Sequence, residues 1–490
     1  MIYQYITLGG GNAGYSAAIA AKQAGVNRVL IIEKSAETTF PGGNTYFAPG
    51  MSLIYGLDDL LPILHDVDPE TVKCIDMVPY KPEDYMTNLM RVTGGRADPA
   101  LADVLVNESR ETIDWLDMIG VKFRLSFNRQ AYKVDGRYKF YAGQVLAIVD
   151  GGKGMVRQYI ESANNHGVTV QYGTSLIRLL THDQSNTVRG LEVLLHDGTK
   201  QIISAGSVVL ACGGFEANPA MRAQYLGKTW DMAHVRGTPS CHATCRDVST
   251  DPHCGDKVLT NQFTKNGYPL GIMVNRDGKR FVDEGKDYRN YTYACFGKEV
   301  MNQPGSVAFQ IWDAKTLSWL REEEYGDSVV EKIVADSIEE LADKAALANK
   351  QALVDTVQEY NDAVSAHRQQ HPDLKWDPTT KDGLSTQCSK MRLQIPKSNW
   401  ALPIDQAPFV AVKITTGITF TFGGLAVDPK TAAVLDGSSK SIGNLYAAGE
   451  IVGGVFYDNY PSGSGLMLGS ILGRKAGTSA AVSHLNGVNV

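Results

Sequence analysis

Tyr3-Gln4-Tyr5-Ile6-Thr7-Leu8 runs directly into Gly9-Gly10-Gly11-Asn12-Ala13-Gly14, then into the small-residue run Tyr15 to Ala24, and then into a second apolar stretch, Arg28 to Ile32, which ends on Glu33. The reading is strand, glycine turn, helix, strand, acid. Gly9 permits a tight turn, and Gly11 lets a pyrophosphate approach the backbone where the N–H groups of a helix N-terminus point. Gly14, with Ala17, Ala18 and Ala21, lets the helix lie close on a sheet. Glu33 is placed to take ribose hydroxyls. A bare GxGxxG pattern is a weak signal, but here it succeeds a strand, opens a helix and has its acid about twenty residues on, the context the motif requires.

The residues after Glu33 separate two cofactors. A nicotinamide enzyme would continue into another crossover unit, whereas this chain gives Lys34-Ser35-Ala36-Glu37 and then Pro41-Gly42-Gly43-Asn44-Thr45. That second glycine turn resembles the one that flavoproteins with two dinucleotide-binding segments lay along the FAD diphosphate and the flavin edge, so FAD is expected over NAD. The candidate cofactor residues here are Gly9, Gly11, Asn12, Ala13, Gly14, Glu33, Lys34, Gly42, Gly43, Asn44 and Thr45.

At 490 residues the chain is long enough for two or three lobes with a large buried interior. Its net charge of -6 is scattered in both signs, and no run of Lys and Arg suggests a nucleic-acid face. No apolar stretch is long enough to span a bilayer, and the N-terminus enters its strand at once, so a soluble, cytoplasmic protein without membrane insertion is expected. The seven cysteines are odd in number and irregularly spaced, which argues against a disulfide framework. Cys241-His242-Ala243-Thr244-Cys245, with His253 and Cys254 behind it, lacks the paired spacing of a structural zinc site; free thiols and no metal are expected.

Along the chain, Pro82 to Thr93 and Asp98 to Gly120 show helical apolar spacing, with Asp98-Pro99 as a start signal. From Lys122 to Lys139, six basic residues stand against one acid and alternate with aromatics, which reads as a solvated hairpin or as an electropositive wall that steers an anion. Asp150-Gly151-Gly152-Lys153-Gly154 opens a helix to His166, strands come next at Val168 to Tyr172 and Thr174 to Leu180, and Thr187 to Ser204 reads as a hairpin. Ser207 to Phe215 is a buried strand closing on Gly213-Gly214. Residues 248–404 change texture: Tyr268 to Val282 reads as two strands about Asn275-Arg276-Asp277-Gly278, and Ser337 to His367 as a long amphipathic helical region. At Lys413 the nucleotide-lobe texture returns, with Ile414 to Phe420, Gly423-Gly424, and Gly443 to Glu450. The expected fold is α/β: a discontinuous Rossmann-like FAD domain, 1–247 and 405–490, with an inserted α+β cap, 248–404.

Taken together, GGGNAG with Glu33, PGGNT, VVLACGGF, VNRDGKRFVDEG, TFGGLAVD and GNLYAAGE with YPSGSG after it resemble the flavoprotein family of fumarate reductase and succinate dehydrogenase. The stretches 268–275 and 283–293 look most like the FAD-dependent tricarballylate dehydrogenases. The resemblance implies FAD held between two lobes, with Gly154, Ala211, Gly213, Gly214, Gly449, Glu450, Ser464, Gly465 and Leu466 joining the cofactor residues. It implies interconversion of a saturated C–C bond and an alkene beside a carboxylate or carbonyl, with electrons passing to a separate acceptor or to oxygen. Arg289 lies where the family's acid arginine lies, as proton carrier or carboxylate clamp; Tyr291 and Tyr293 are alternative proton carriers, and His242 matches a histidine of the tricarballylate group. A structural salt bridge is the other reading of Arg289.

The departures are as informative. Phe420 stands where fumarate reductases have a substrate-binding histidine, and Tyr460 where they have a carboxylate-clamping arginine. The histidine that attaches FAD covalently in some relatives is missing, so the flavin is expected to be non-covalent. Tyr460 with Gly463-Ser464-Gly465 resembles ketosteroid dehydrogenases, in which a tyrosine and a backbone N–H hold a substrate carbonyl; packing under the flavin is its other reading. After Pro239 the chain goes directly to Ser240-Cys241-His242-Ala243, without the flavin-supporting turn and helix of the family. Three functions are therefore open: dehydrogenation of a tricarballylate-like polycarboxylate, desaturation or reduction of a neutral enone-like metabolite, and a non-catalytic flavoprotein-fold protein.

Overall fold

The computed structural model describes residues 2–38, 42–48, 50–65, 67–182, 185–235, 244–247 and 264–485. Two compact units emerge: Met1–Gln130, Ala142–Phe215 and Phe420–Val490 form the first, and Ala131–Tyr141 with Glu216–Thr419 the second. The joints fall at 215 and 420 where the sequence suggested 247 and 405. The reason is strand pairing, because His234–Val235 and Phe409–Ile418 are hydrogen-bonded to each other in the sheet of the second unit.

The first unit is built on parallel strands. Ile2–Leu8 lies between Val29–Ile32 and Lys200–Leu210; Thr169–Gln171 extends one side and Ser441–Ala447 the other. All four residues of Val29–Ile32 are buried, as expected of a strand covered on both faces. Register places Leu8 opposite both Ile32 and Leu210, and Leu210 opposite Ala447. The next residues along each strand, Gly9, Glu33, Ala211 and Ala448, therefore share one edge, the carboxyl ends at which α/β sheets bind ligands. The expected hairpin at 187–204 is present, with its second strand and the buried strand after it joined as one, Lys200–Leu210, paired antiparallel to Val188–Leu194.

Helix Asn12–Gln23 buries ten consecutive residues, Asn12 to Ala21. An amphipathic surface helix would expose one face; this one is sandwiched by the sheet and by helix Ser464–Leu485. The close approach comes from a stripe at every fourth residue: a Cβ at Gly473 or Gly477 would run into the carbonyl of Ala13 or Ala17. Asp98 caps its helix as predicted, accepting the N–H groups of Ala100 and Leu101 at 2.9 Å, but the helix breaks at Glu108 into Pro99–Asn107 and Ser109–Met118.

In the second unit, Phe409–Ile418 pairs antiparallel with Val307–Trp312, which pairs with Ile272–Asn275. Ile272, Val274, Phe309 and Ile311 point to a core shared with Leu353, Val357 and Tyr360 of helix Lys350–Gln370. Met273, Ala308, Trp312, Val412 and Ile414 point to the opposite core with Phe296 and Val300. The strand expected to return to the nucleotide lobe at Ile414 thus belongs here. The long helical region is two helices, Ile338–Lys344 and Lys350–Gln370, separated where Ala346 takes φ +50° and capped by Ser337 and Asn349. The two expected strands about Asn275 to Gly278 reduce to one strand plus a single bridge, Val274 to Arg280. Of the stretch 122–139 read as a hairpin, only the second half forms one, Ala131–Val134 with Arg137–Phe140 through Asp135-Gly136, both at positive φ as a two-residue turn requires; Phe123–Leu125 is a separate strand and Phe127–Gln130 a helical turn. Among the described residues no helix is long and apolar enough to cross a membrane.

Candidate functional site

The glycine turn is shaped by contact. Gly9 takes φ +108° with no room for a side chain against Ala211, and a Cβ at Gly14 would collide with the Gly9 carbonyl. The Gly10 N–H donates to Glu33 Oε2 at 2.6 Å and the Ser35 N–H to Glu33 Oε1 at 2.8 Å. Glu33 is 8% exposed, and two of its roughly four acceptor positions remain for ribose hydroxyls. Both the cradle and the acid suit FAD. Lys34 is exposed beside it.

Other candidate residues serve the cradle from inside. The Asn12 N–H donates to Thr45 Oγ1 at 2.7 Å, which ties the second glycine turn to the first helix. The Asn12 side chain donates to the Leu466 carbonyl at 2.8 Å and accepts from Tyr159 at 2.7 Å and Ser470 at 2.8 Å, so it anchors three helices instead of facing a ligand. Ser464 exchanges a 2.8 Å hydrogen bond with Tyr85. Gly42 and Gly43 adopt positive φ at the start of a short 3₁₀ turn, Gly213 does so after Ala211, and Gly449 packs on Ala13. Gly154 packs on the Val149 carbonyl inside helix Gly151–Asn165, while Gly214 is half-buried in the turn after Gly213.

Glu450 joins distant parts of this unit. Its Oε1 accepts the Thr421 N–H at 2.7 Å and the Thr421 hydroxyl at 3.1 Å, and its Oε2 accepts the Asn44 amide at 3.2 Å. Beside it opens a recess lined by Phe420, Phe422, Phe456, Gly465 and Leu468 among others. Tyr460, 5% exposed, stacks on Phe420 with ring centroids 5.7 Å apart and planes 18° apart. Phe422 and Phe456 meet Tyr460 edge-on at 5.6 and 5.4 Å.

In the second unit Arg289 opens a 3₁₀ turn, Arg289–Tyr291, and is 8% exposed. Its guanidinium is hydrogen-bonded by Tyr141, and its buried Nε–H has no acceptor among the described residues. Burial alone would pull its pKa down, but the interactions with Tyr141 and with the Glu324 carboxylate oppose it, and the pKa is raised. Burial raises the Tyr132 hydroxyl far above its ordinary value, so Tyr132 stays protonated. Tyr141 stacks on Tyr132 at 5.5 Å and on Tyr288 at 5.4 Å. Glu324 accepts from the Thr264 hydroxyl at 2.8 Å and the Asn266 N–H at 3.1 Å. Tyr291 is buried on the same turn.

Beside Arg289 in sequence, the VNRDGKRFVDEG turn is locked by charge. Arg280 and Glu284 form a fully buried ion pair, Glu284 Oε1 also accepts the Met273 N–H at 2.7 Å, and Arg280 donates to the Ile395 and Pro396 carbonyls. Glu284 is therefore committed to Arg280 and not to Arg289.

His242, with the rest of 236–243, and Cys241, His253 and Cys254 lie outside the described residues; Cys245 lies in strand Thr244–Asp247, which pairs antiparallel with Phe409–Ile418. Among the described residues no three His, Cys, Asp or Glu side chains converge as a metal site. Of the six basic residues at 122–139, Lys122, Arg124, Lys133 and Arg137 are exposed, and Lys139 pairs with Asp377 at 3.4 Å. Sequence reasoning missed Tyr132, Tyr141, Phe422, Phe456 and Glu324. The only trace of the ring cluster was the Phe-x-Phe spacing at 420 and 422 and the four-residue spacing of Phe456 and Tyr460.

The chain is similar to known proteins over nearly its whole length. It is 26% identical to fumarate reductase (cytochrome) of Shewanella frigidimarina, across 97% of this chain and 76% of that one. It is 24% identical to urocanate reductase of Eggerthella lenta, across 97% and 74%. The crystal structure of 3-ketosteroid Δ1-dehydrogenase from Sterolibacterium denitrificans, in complex with 1,4-androstadiene-3,17-dione, superposes with a TM-score of 0.69 at 17% identity, covering 98% of this chain and 100% of that one, which establishes the shared fold. The cofactor is FAD, and the chain is an FAD-dependent oxidoreductase of C–C and C=C bonds. Matching the family profile described as FAD binding domain over residues 5–466, the chain belongs to that family.

Proposed function

We propose that this enzyme reduces a C=C bond conjugated with a carbonyl or carboxylate. The observation that supports this reading best is Arg289: a buried guanidinium with one N–H lacking an acceptor among the described residues. FAD, when bound, exchanges the hydride. Arg289 supplies the proton to the adjacent carbon, where a developing carbanion or enolate is basic enough to take it. In the reverse direction a neutral guanidine would be the base, and at neutral pH almost none exists. Tyr141 holds the guanidinium in place.

Dehydrogenation of a tricarballylate-like polycarboxylate is the second reading. It is favoured by the same cation and by the basic hairpin at 131–141.

The test is anaerobic. Enzyme reconstituted with FAD and reduced with dithionite is mixed with conjugated enones and enoates, and the oxidised enzyme separately with tricarballylate. Return of the yellow colour in the first series, abolished or slowed by about 10²–10⁴-fold in Arg289→Ala, supports the reduction. Bleaching by tricarballylate with no reoxidation by any alkene transfers the assignment to the second reading.

A further inference from the structure

We propose that six rings of the second unit form a relay that carries an electron hole from the neighbourhood of Arg289 to the surface at Trp376, so that an oxidising radical arising near the guanidinium is discharged without lasting damage there. Such a relay is a function separate from the reaction proposed above and independent of its direction.

Trp376 meets Trp319 with ring centroids 5.0 Å apart, Trp319 meets Tyr132 at 5.7 Å, and Tyr132 stacks on Tyr141 at 5.5 Å. The run continues from Tyr141 to Tyr288 at 5.4 Å and from Tyr288 to Trp400 at 5.7 Å. All six residues belong to the second unit. Contacts at these distances are what aromatic packing produces in any core. The composition of the run is what sets it apart. It holds only tyrosine and tryptophan, the aromatic side chains that give up an electron most readily, while Phe296, Phe309 and Phe409 lie in the unit's two apolar cores. Electron tunnelling weakens steeply with distance, so a series of short steps between oxidisable rings outruns a single long one.

The neighbours of each ring give the run a direction. A phenol keeps a hole only if its proton can leave. The Tyr132 hydroxyl is hydrogen-bonded to that of Tyr141, which bonds the guanidinium of Arg289, and neither partner is a base. The charge of Arg289 also opposes positive charge on both rings, with Glu324 offsetting part of it. On the other side Lys381 stands 5.8 Å from the centre of the Tyr288 ring and opposes a hole there as well, and Trp400, 2% exposed, is a blind end. An indole needs no proton transfer, because its one-electron-oxidised form persists as a cation. Trp319 and Trp376 are half-buried, and the Trp376 N–H has no acceptor among the described residues, so its proton stays in place. The hole therefore moves outward through Trp319 and comes to rest at Trp376.

The electrons balance with an oxidant and a reductant of ordinary classes. An oxyl radical takes one electron from Tyr141 and one proton from water and becomes a hydroxyl compound. The electron is replaced in turn from Tyr132, Trp319 and Trp376. The indole cation at the surface is restored by one electron from a thiolate in solution, which leaves as a thiyl radical.

The experiment drives the relay backwards into a trap. FAD-loaded protein carrying Tyr141→3-aminotyrosine, a ring oxidised more easily than any other in the run, is exposed to azide radicals made by pulse radiolysis. These take one electron from accessible indoles and become azide ions, and residue 141, 7% exposed in the unaltered chain, is shielded from them. The expected result is an aminotyrosyl radical, seen by absorption and electron paramagnetic resonance, that grows in as the indole signal decays. Added Trp319→Phe and Trp376→Phe should each slow that growth at least tenfold. No radical at residue 141 with the other five rings intact overturns the proposal, and so does growth at the unaltered rate in either phenylalanine variant. If Trp319→Phe does not fold, Trp376→Phe, at the half-buried outer end, decides.

Discussion

The hydroxyl of Tyr141 hydrogen-bonds the guanidinium of Arg289, although the two residues sit on different elements and belong to the two separate chain segments that make up the second unit. Tyr141 also stacks on Tyr132, with 13° between the planes. The hairpin and the residue just past it, which supply these tyrosines, therefore fix the orientation of the proposed proton carrier. Tyr141→Phe keeps the ring stack and removes only the hydroxyl. Turnover of FAD-loaded enzyme should fall about 10- to 100-fold, the cost of one lost hydrogen bond to a charged group, with KM for the alkene little changed. Unchanged turnover alongside a lowered melting temperature would assign Tyr141 a purely structural part.

Glu33 is bound to the Gly10 and Ser35 amides and still has acceptor capacity to spare. Glu33→Ala should weaken FAD binding by roughly 10- to 100-fold, in line with about 1.5–3 kcal/mol for hydrogen bonds to a charged group. Glu33→Gln, which keeps one acceptor, should lose less. Fluorescence titration of apoprotein with FAD checks both, and equal affinity in all three proteins would remove Glu33 from the cofactor site.

Helix Ser464–Leu485 meets Asn12–Gln23 across Gly473 and Gly477, where any side chain would strike the carbonyl of Ala13 or Ala17. Gly477→Ala should destabilise by about 1–3 kcal/mol, the usual cost of overpacking. Val482→Ala, on the same helix but 50% exposed, should cost little. Urea unfolding of the three proteins gives the comparison, and equal midpoints would mean the helices separate freely.

Lys397 is 1% exposed and donates to the Gly271 carbonyl at 2.6 Å. Burial pushes its pKa from 10.5 down to about 8, with Glu284 opposing the fall. Between those values the unfolded chain binds a proton that the folded chain does not, so stability rises with pH across that window, and the penalty is fully present below pH 8. The difference corresponds to roughly 3 kcal/mol. Relative to Lys397→Met, the unaltered chain should gain up to that amount between about pH 7.5 and 10.5, measured by urea unfolding at both pH values. Parallel curves would show that Lys397 titrates normally.

Adjacent residues determined a good deal. The strand, glycine turn, helix and acid at 3–33 are specified by residues close together in the chain, because a tight turn, a close helix approach and an acid one crossover later each need a particular residue at a fixed offset. The Asp98 cap was legible for the same reason: it is settled within a few residues. The second glycine turn, Pro41 to Thr45, was enough to choose FAD over NAD.

What the sequence left open was settled by partners far along the chain. Ile414 has the texture of a nucleotide-lobe strand, but an apolar strand fits any sheet, and pairing with Val307–Trp312 assigned it to the second unit. Arg289 was legible as a candidate, but not that Glu284 is committed to Arg280 while Tyr141 holds Arg289. Phe420 and Tyr460 read as isolated departures from a pattern, and Phe422 and Phe456 went unread, until the fold brought the four rings together. Backbone conformation is governed by neighbours in sequence, whereas the charge and shape of a site are governed by neighbours in space, and only tertiary structure chooses those.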